Sequence, residues 1–153
     1  MGILSALFGL KKQSKKIVSE PTPQVQPISF GEIITKTTQG ANLVDGKQTG
    51  ELFDEFKHDI EVMKRCCEAE LMTMEKAGLV PAPAYFLRVA ILSRKARDYV
   101  QEISYCEKYI NVVEAYYAKH GTNGIYDVRE GPTYKSIINR LPKARELLKN
   151  ILE

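Results

Sequence analysis

The sequence predicts an all-α protein: an antiparallel bundle of four or five helices behind a disordered N-terminal tail. Two observations carry this. Apolar residues recur three or four positions apart from Phe53 to Met74, from Tyr85 to Tyr117 and from Ile137 to Ile151, the spacing that lines one face of an α-helix. Glycines and prolines gather between these runs, at Gly78, Pro81 and Pro83 and again at Gly121, Gly124, Gly131 and Pro132, where they punctuate helices. At 44% hydrophobic and 27% charged residues the chain has the means to bury one core, which argues against disorder throughout.

Three regions follow: a tail over residues 1–28, a short helix and loop over 29–50, and a helical domain over 51–153. The tail opens with the apolar stretch Met1–Leu10, continues with Lys11, Lys12, Lys15 and Lys16, and ends among Pro21, Pro23 and Pro27. That proline spacing excludes helix and favours an extended tether. A short helix begins after Ser29, because Ser29 and Glu32 have capping-box spacing and Ile28 and Ile33 sit at staple positions. Gly40 ends it, and residues 40–50 read as loop.

From Glu51 a single long helix is expected, with Phe53, Phe56, Ile60, Met63, Cys67, Leu71 and Met74 on its inward face. Glu51, Asp54 and Glu55 suit its N-terminal dipole, and Gly78 ends it. The next helix begins around Pro83 and turns Tyr85, Phe86, Val89, Leu92 and Ala96 inward. Another begins near Asp98, which has capping-box spacing with Gln101. It carries one stripe of Ile103, Cys106, Ile110, Val113 and Tyr117 and a second of Tyr105, Tyr109, Val112 and Tyr116. So wide an apolar arc predicts a central helix touched on two sides. Residues 121–131 read as an ordered loop, extended over Ile125–Val128. The final helical region follows Pro132, and Pro142 either kinks one helix or separates two.

Between Phe86 and Tyr109, aligned on Asp98–Tyr99 as the turn, the chain resembles a single tetratricopeptide repeat. Phe86 falls at the repeat's first large position, Val89 and Ala90 at its large-then-small pair, and Cys106 at the later aromatic position of the second helix. The resemblance implies that Ala90 lets two antiparallel helices approach while Phe86 and Tyr99 fill the gap between them. It also implies a protein-binding role in place of catalysis. Three positions depart from the pattern: Arg97 where glycine is usual, and Glu102 and Tyr109 where small residues are usual. An ordinary antiparallel helix pair would place the same residues.

Little in the chain points to chemistry. No phosphate-cradling glycine loop, nucleophile elbow or triad spacing is visible, so no catalytic residue, cofactor or metal ligand is assigned. Glu55 and His58 have Glu-x-x-His spacing, but a di-iron bundle needs two such pairs. Cys66, Cys67 and Cys106 are odd in number and adjacent in part, which argues against a disulfide framework and fits a reducing, cytoplasmic setting, with Cys67 and Cys106 read as small buried hydrophobes. A net charge of +3 is too small to favour nucleic acid, although Arg88, Arg94, Lys95 and Arg97 could form a basic face beside tyrosines.

The expected function is therefore a non-catalytic protein–protein interaction or adaptor module. Its partner is another protein, docking a peptide or helix against Tyr105, Tyr109 and Tyr116, because tyrosine supplies contact area at low entropic cost. A competing reading from another class is a peripheral protein at the inner face of the membrane. There Ile3, Leu4, Leu7 and Phe8 would enter the surface and Lys11, Lys12, Lys15 and Lys16 would meet anionic head groups.

Overall fold

The computed structural model describes residues 24–122 and 126–153. Among them the fold is all-α, with six α-helices and one two-stranded hairpin: α1 Phe30–Thr38, β1 Leu43–Val44, β2 Lys47–Gln48, α2 Thr49–Phe56, α3 Ile60–Ala77, α4 Pro83–Lys95, α5 Tyr99–His120 and α6 Pro132–Leu152. The expected start of α1 holds in detail. Ser29 Oγ accepts from the Glu32 amide at 3.2 Å, and the Ser29 amide donates to the Glu32 carboxylate at 2.7 Å.

Residues 40–50 hold more than a loop. Asp45 and Gly46 both take positive φ, at 51° and 76°, the geometry of the tight turn that matches strand twist in a two-residue hairpin. It pairs Leu43 with Gln48 and Val44 with Lys47 in antiparallel register. The Asp-Gly pair was the signal in the sequence.

The expected long helix from Glu51 is two helices. Asp59 breaks it, its carboxylate accepting from the Glu61 and Val62 amides at 3.0 and 3.2 Å and so starting α3 afresh. Apolar spacing cannot reveal the break, because Phe56 and Ile60 are four apart and stay in phase across it. The split also makes six helices where four or five were expected. Gly78 ends α3 as anticipated, with φ of 68° and its amide bonded to the Met74 carbonyl.

Helices α3 to α6 form the body, and neighbours in sequence run antiparallel. Ser93 with Gln101 and Phe86 with Tyr109 pair α4 with α5, and Tyr134 with Glu114 and Arg140 with Glu102 pair α5 with α6. The core joins Met63, Cys66 and Cys67 of α3, Phe86, Val89 and Ala90 of α4, Cys106, Tyr109 and Val113 of α5, and Ile137 of α6. Helix α5 packs on α4 and α6 as expected, while α4 touches α3, α5 and α6 and is the more central. Asp98 caps α5 by accepting from the Gln101 amide at 2.9 Å. The Gln101 side chain turns instead to Ser93 Oγ, tying α5 to α4.

Of the stretch expected to be extended, Ile125 lies outside the described residues, Asp127 is extended, and Val128 instead opens the 3-10 turn Val128–Glu130. Asp127 caps it and its carboxylate grips Arg129. Helix α6 runs unbroken through Pro142, which resolves the alternative left by the sequence. Pro142 is exposed, so the carbonyl of Ile138 that loses its helical donor can turn to water.

Candidate functional site

Helices α3 and α5 each run antiparallel to α4, so they lie parallel to each other and end on the same side. Between their C-terminal halves lies an open groove of about 520 Å³. Its apolar surface comes from Leu71 and Met74 of α3 and from Val112, Ala115 and Tyr116 of α5. Glu75 stands on the α3 rim, and Lys119 and His120 stand on the α5 rim. The Lys119 ammonium sits where the C-terminal dipole of α5 favours positive charge.

Tyr116 is the fixed wall of the groove. Its hydroxyl donates to the Gly78 carbonyl at 2.8 Å, and its ring meets His120 at 4.6 Å and Tyr117 at 5.3 Å. Leu71, Met74 and Val112 are half-buried, and Ala115 is exposed. The groove thus offers apolar surface that no other part of the described chain covers.

The structure separates the three tyrosines expected to meet a partner. Tyr116 lines the groove but is itself almost wholly buried, so it walls the groove more than it offers contact area. Tyr109 is fully buried, and its hydroxyl donates to the Pro81 carbonyl at 2.8 Å. It cannot present contact area in this fold, because Phe86 packs on it at 4.7 Å and Tyr134 of α6 at 6.2 Å. Burial pushes its phenol well above the usual value. Tyr105 is half-buried away from the groove, 6.4 Å from Phe86, with the Lys108 ammonium 5.7 Å from its ring. Burial pushes its phenol up to about 12.

Sequence reasoning missed the α3 half of the groove. Leu71 and Met74 continue the inward stripe of α3 without interruption, so periodicity gave no sign that the stripe outruns its partner. Ala115, a small exposed residue between Val112 and Tyr116, was the available hint.

The eight residues expected at a membrane surface, Ile3, Leu4, Leu7, Phe8, Lys11, Lys12, Lys15 and Lys16, lie outside the described residues. Of the basic face, Arg94 is bound to the buried Glu102 at 2.8 Å, and Arg88 bonds the Lys57 carbonyl and meets His58 Nδ1 at 2.9 Å. Lys95 and Arg97 are exposed. Glu55 lies on α2 and faces Lys47 at 3.6 Å, while His58 lies beyond the helix end, so the two do not share a helix. Among the described residues no three His, Cys, Asp or Glu side chains gather as metal ligands would. Cys66, Cys67 and Cys106 are free and buried. Burial, with Glu70 beside Cys66 and Glu102 beside Cys106, pushes those two thiols up to about 11.

Among the described residues no helix is long and apolar enough to cross a membrane. Comparison with protein-family models, curated proteins and solved structures finds no match to the chain. The fold places it in the all-α class.

Proposed function

We propose that the protein is a non-catalytic interaction module that docks an amphipathic helix of a partner protein in the α3–α5 groove. The observation carrying this reading is the uncovered apolar floor of Leu71, Met74, Val112 and Ala115 against the fixed ring of Tyr116. A partner helix would place apolar residues at i, i+3 or i+4, and i+7 along that floor. Glu75 on one rim and Lys119 on the other favour a helix whose flanks carry opposite charges. The tetratricopeptide-like hairpin over residues 86–109 agrees with a protein-binding role. The three free, buried cysteines agree with a reducing, cytoplasmic setting.

The test is affinity capture from native cell extract with the tagged full chain, Ala115→Arg and Ala118→Arg. Both alanines are exposed on α5, and only Ala115 lines the groove. The reading expects a protein that is held by the parent and by Ala118→Arg and lost by Ala115→Arg. An identical set of captured proteins from all three, or none from the parent, would refute it.

A further inference from the structure

We propose that the outward face of α1 is a contact surface for an anionic lipid bilayer. The helix turns much of its apolar surface outward. Its inner side toward the body carries Gly31, Ile34, Thr35 and Thr38, and only Thr38 is fully buried. Two of its three large apolar side chains point away, Phe30 at 67% exposure and Ile33 at 50%, and Ile28 just before it is 53% exposed.

This exposure is locked by the inner side. Thr38 Oγ1 bonds Asn42 Oδ1 at 2.9 Å, and Asn42 Nδ2 donates to Thr35 Oγ1 at 3.1 Å. Gly31 lies so close to the Gln48 side chain that a Cβ would come within 2.3 Å of its amide nitrogen. Rolling α1 to bury Phe30 and Ile33 would break these bonds and press side chains into Gln48.

Charge identifies the occupant. The chain leading into α1 carries Lys11, Lys12, Lys15 and Lys16 against Glu20 alone. Lys36 is exposed one turn beyond Ile33, on the same side of the helix. The one acid on α1, Glu32, is tied to the Ser29 amide and hydroxyl. An apolar face with Lys36 beside it, preceded in the sequence by four lysines against one acid, is what an anionic bilayer takes up, because apolar burial and head-group attraction act together. The groove between α3 and α5 has no part in this contact.

The test is flotation of the full chain with vesicles of phosphatidylglycerol and phosphatidylcholine, and with phosphatidylcholine alone. The parent is expected to float with the anionic vesicles only. Phe30→Ser with Ile33→Ser should weaken that binding about tenfold or more, since two exposed apolar side chains lose their burial. Ile33→Asp alone repeats the test with a single exposed site changed, and circular dichroism confirms that each variant stays helical. Ala115→Arg should float like the parent, which separates this surface from the groove. Flotation of both α1 variants at the parental level overturns the proposal. So does failure of the parent to bind anionic vesicles, or equal binding to neutral ones. Self-association of lipid-free parent that Ile33→Asp abolishes would assign the face to a second copy and also overturn it.

Discussion

The fully buried carboxylate of Glu102 on α5 receives the Nε of Arg140 on α6 at 2.9 Å. Arg94 of α4 reaches the same carboxylate at 2.8 Å and also donates to the Arg140 carbonyl. One acid thus joins three helices. Glu102→Ala leaves two guanidinium groups facing each other in a part-buried space, and should cost about 3–5 kcal/mol. Glu102→Gln keeps the shape and should cost less. Urea unfolding followed by circular dichroism measures both, and a loss below about 1 kcal/mol for the alanine variant would contradict this role.

Tyr109 and Tyr116 both hold carbonyls of the α3–α4 connection, Pro81 and Gly78 respectively. Tyr109→Phe leaves the Pro81 carbonyl buried without its donor and should cost about 1–3 kcal/mol. Tyr116→Phe, at a partly buried bond, should cost less. Equal and negligible effects in thermal melts would show that water replaces both hydroxyls.

Arg97 closes the α4–α5 turn with φ of 59°, in the left-handed region. Its side chain is exposed, so little is lost by removing it. Arg97→Gly should therefore raise stability by up to about 1 kcal/mol, since glycine adopts this conformation without the Cβ penalty. A lower melting temperature would mean that the arginine side chain holds the corner.

Burial raises the Glu70 carboxyl above its usual value of 4.5, although the Ala82 amide and Thr49 hydroxyl both bond to it and lower it in part. The folded state therefore holds this proton more tightly than the unfolded state. Stability from this group is lost as pH rises from 4.5 through the folded value, and the loss is complete above it. Glu70→Gln does not titrate. Its melting temperature relative to the parent should shift upward between acid and neutral pH, and parallel pH profiles for the two proteins would exclude the effect.

The three thiols are buried at 0%, 0% and 1% exposure, and burial holds Cys66 and Cys106 protonated at neutral pH. A thiol-specific chromophore should react with none of them in the native protein and with all three together on unfolding. Rapid native labelling of any one would show local opening around it.

Much of the fold was legible in the sequence because caps and stripes are local. Ser29–Glu32, Gly78, Pro83 and Asp98 each mark a helix end through groups within a few residues. Asp59 was not legible as a break, because the apolar phase runs across it unchanged. Tyr109 and Tyr116 share one helical stripe, but Phe86 of α4 and Tyr134 of α6 close over Tyr109 while Tyr116 borders the groove. The burial of Glu102 follows from two arginines on other helices, which no local signal around it shows. The groove depends on how far α3 and α5 stand apart where α4 no longer fills the space, which no single segment encodes.

The most direct test of the docking groove is photo-crosslinking in native cells, with a photoreactive residue at position 115 of the full chain and a control at position 118. The account predicts a discrete protein adduct from position 115, mapped by mass spectrometry to an amphipathic segment of its partner and absent from position 118. Adducts shared equally by the two positions, or no protein adduct at 115, would contradict it.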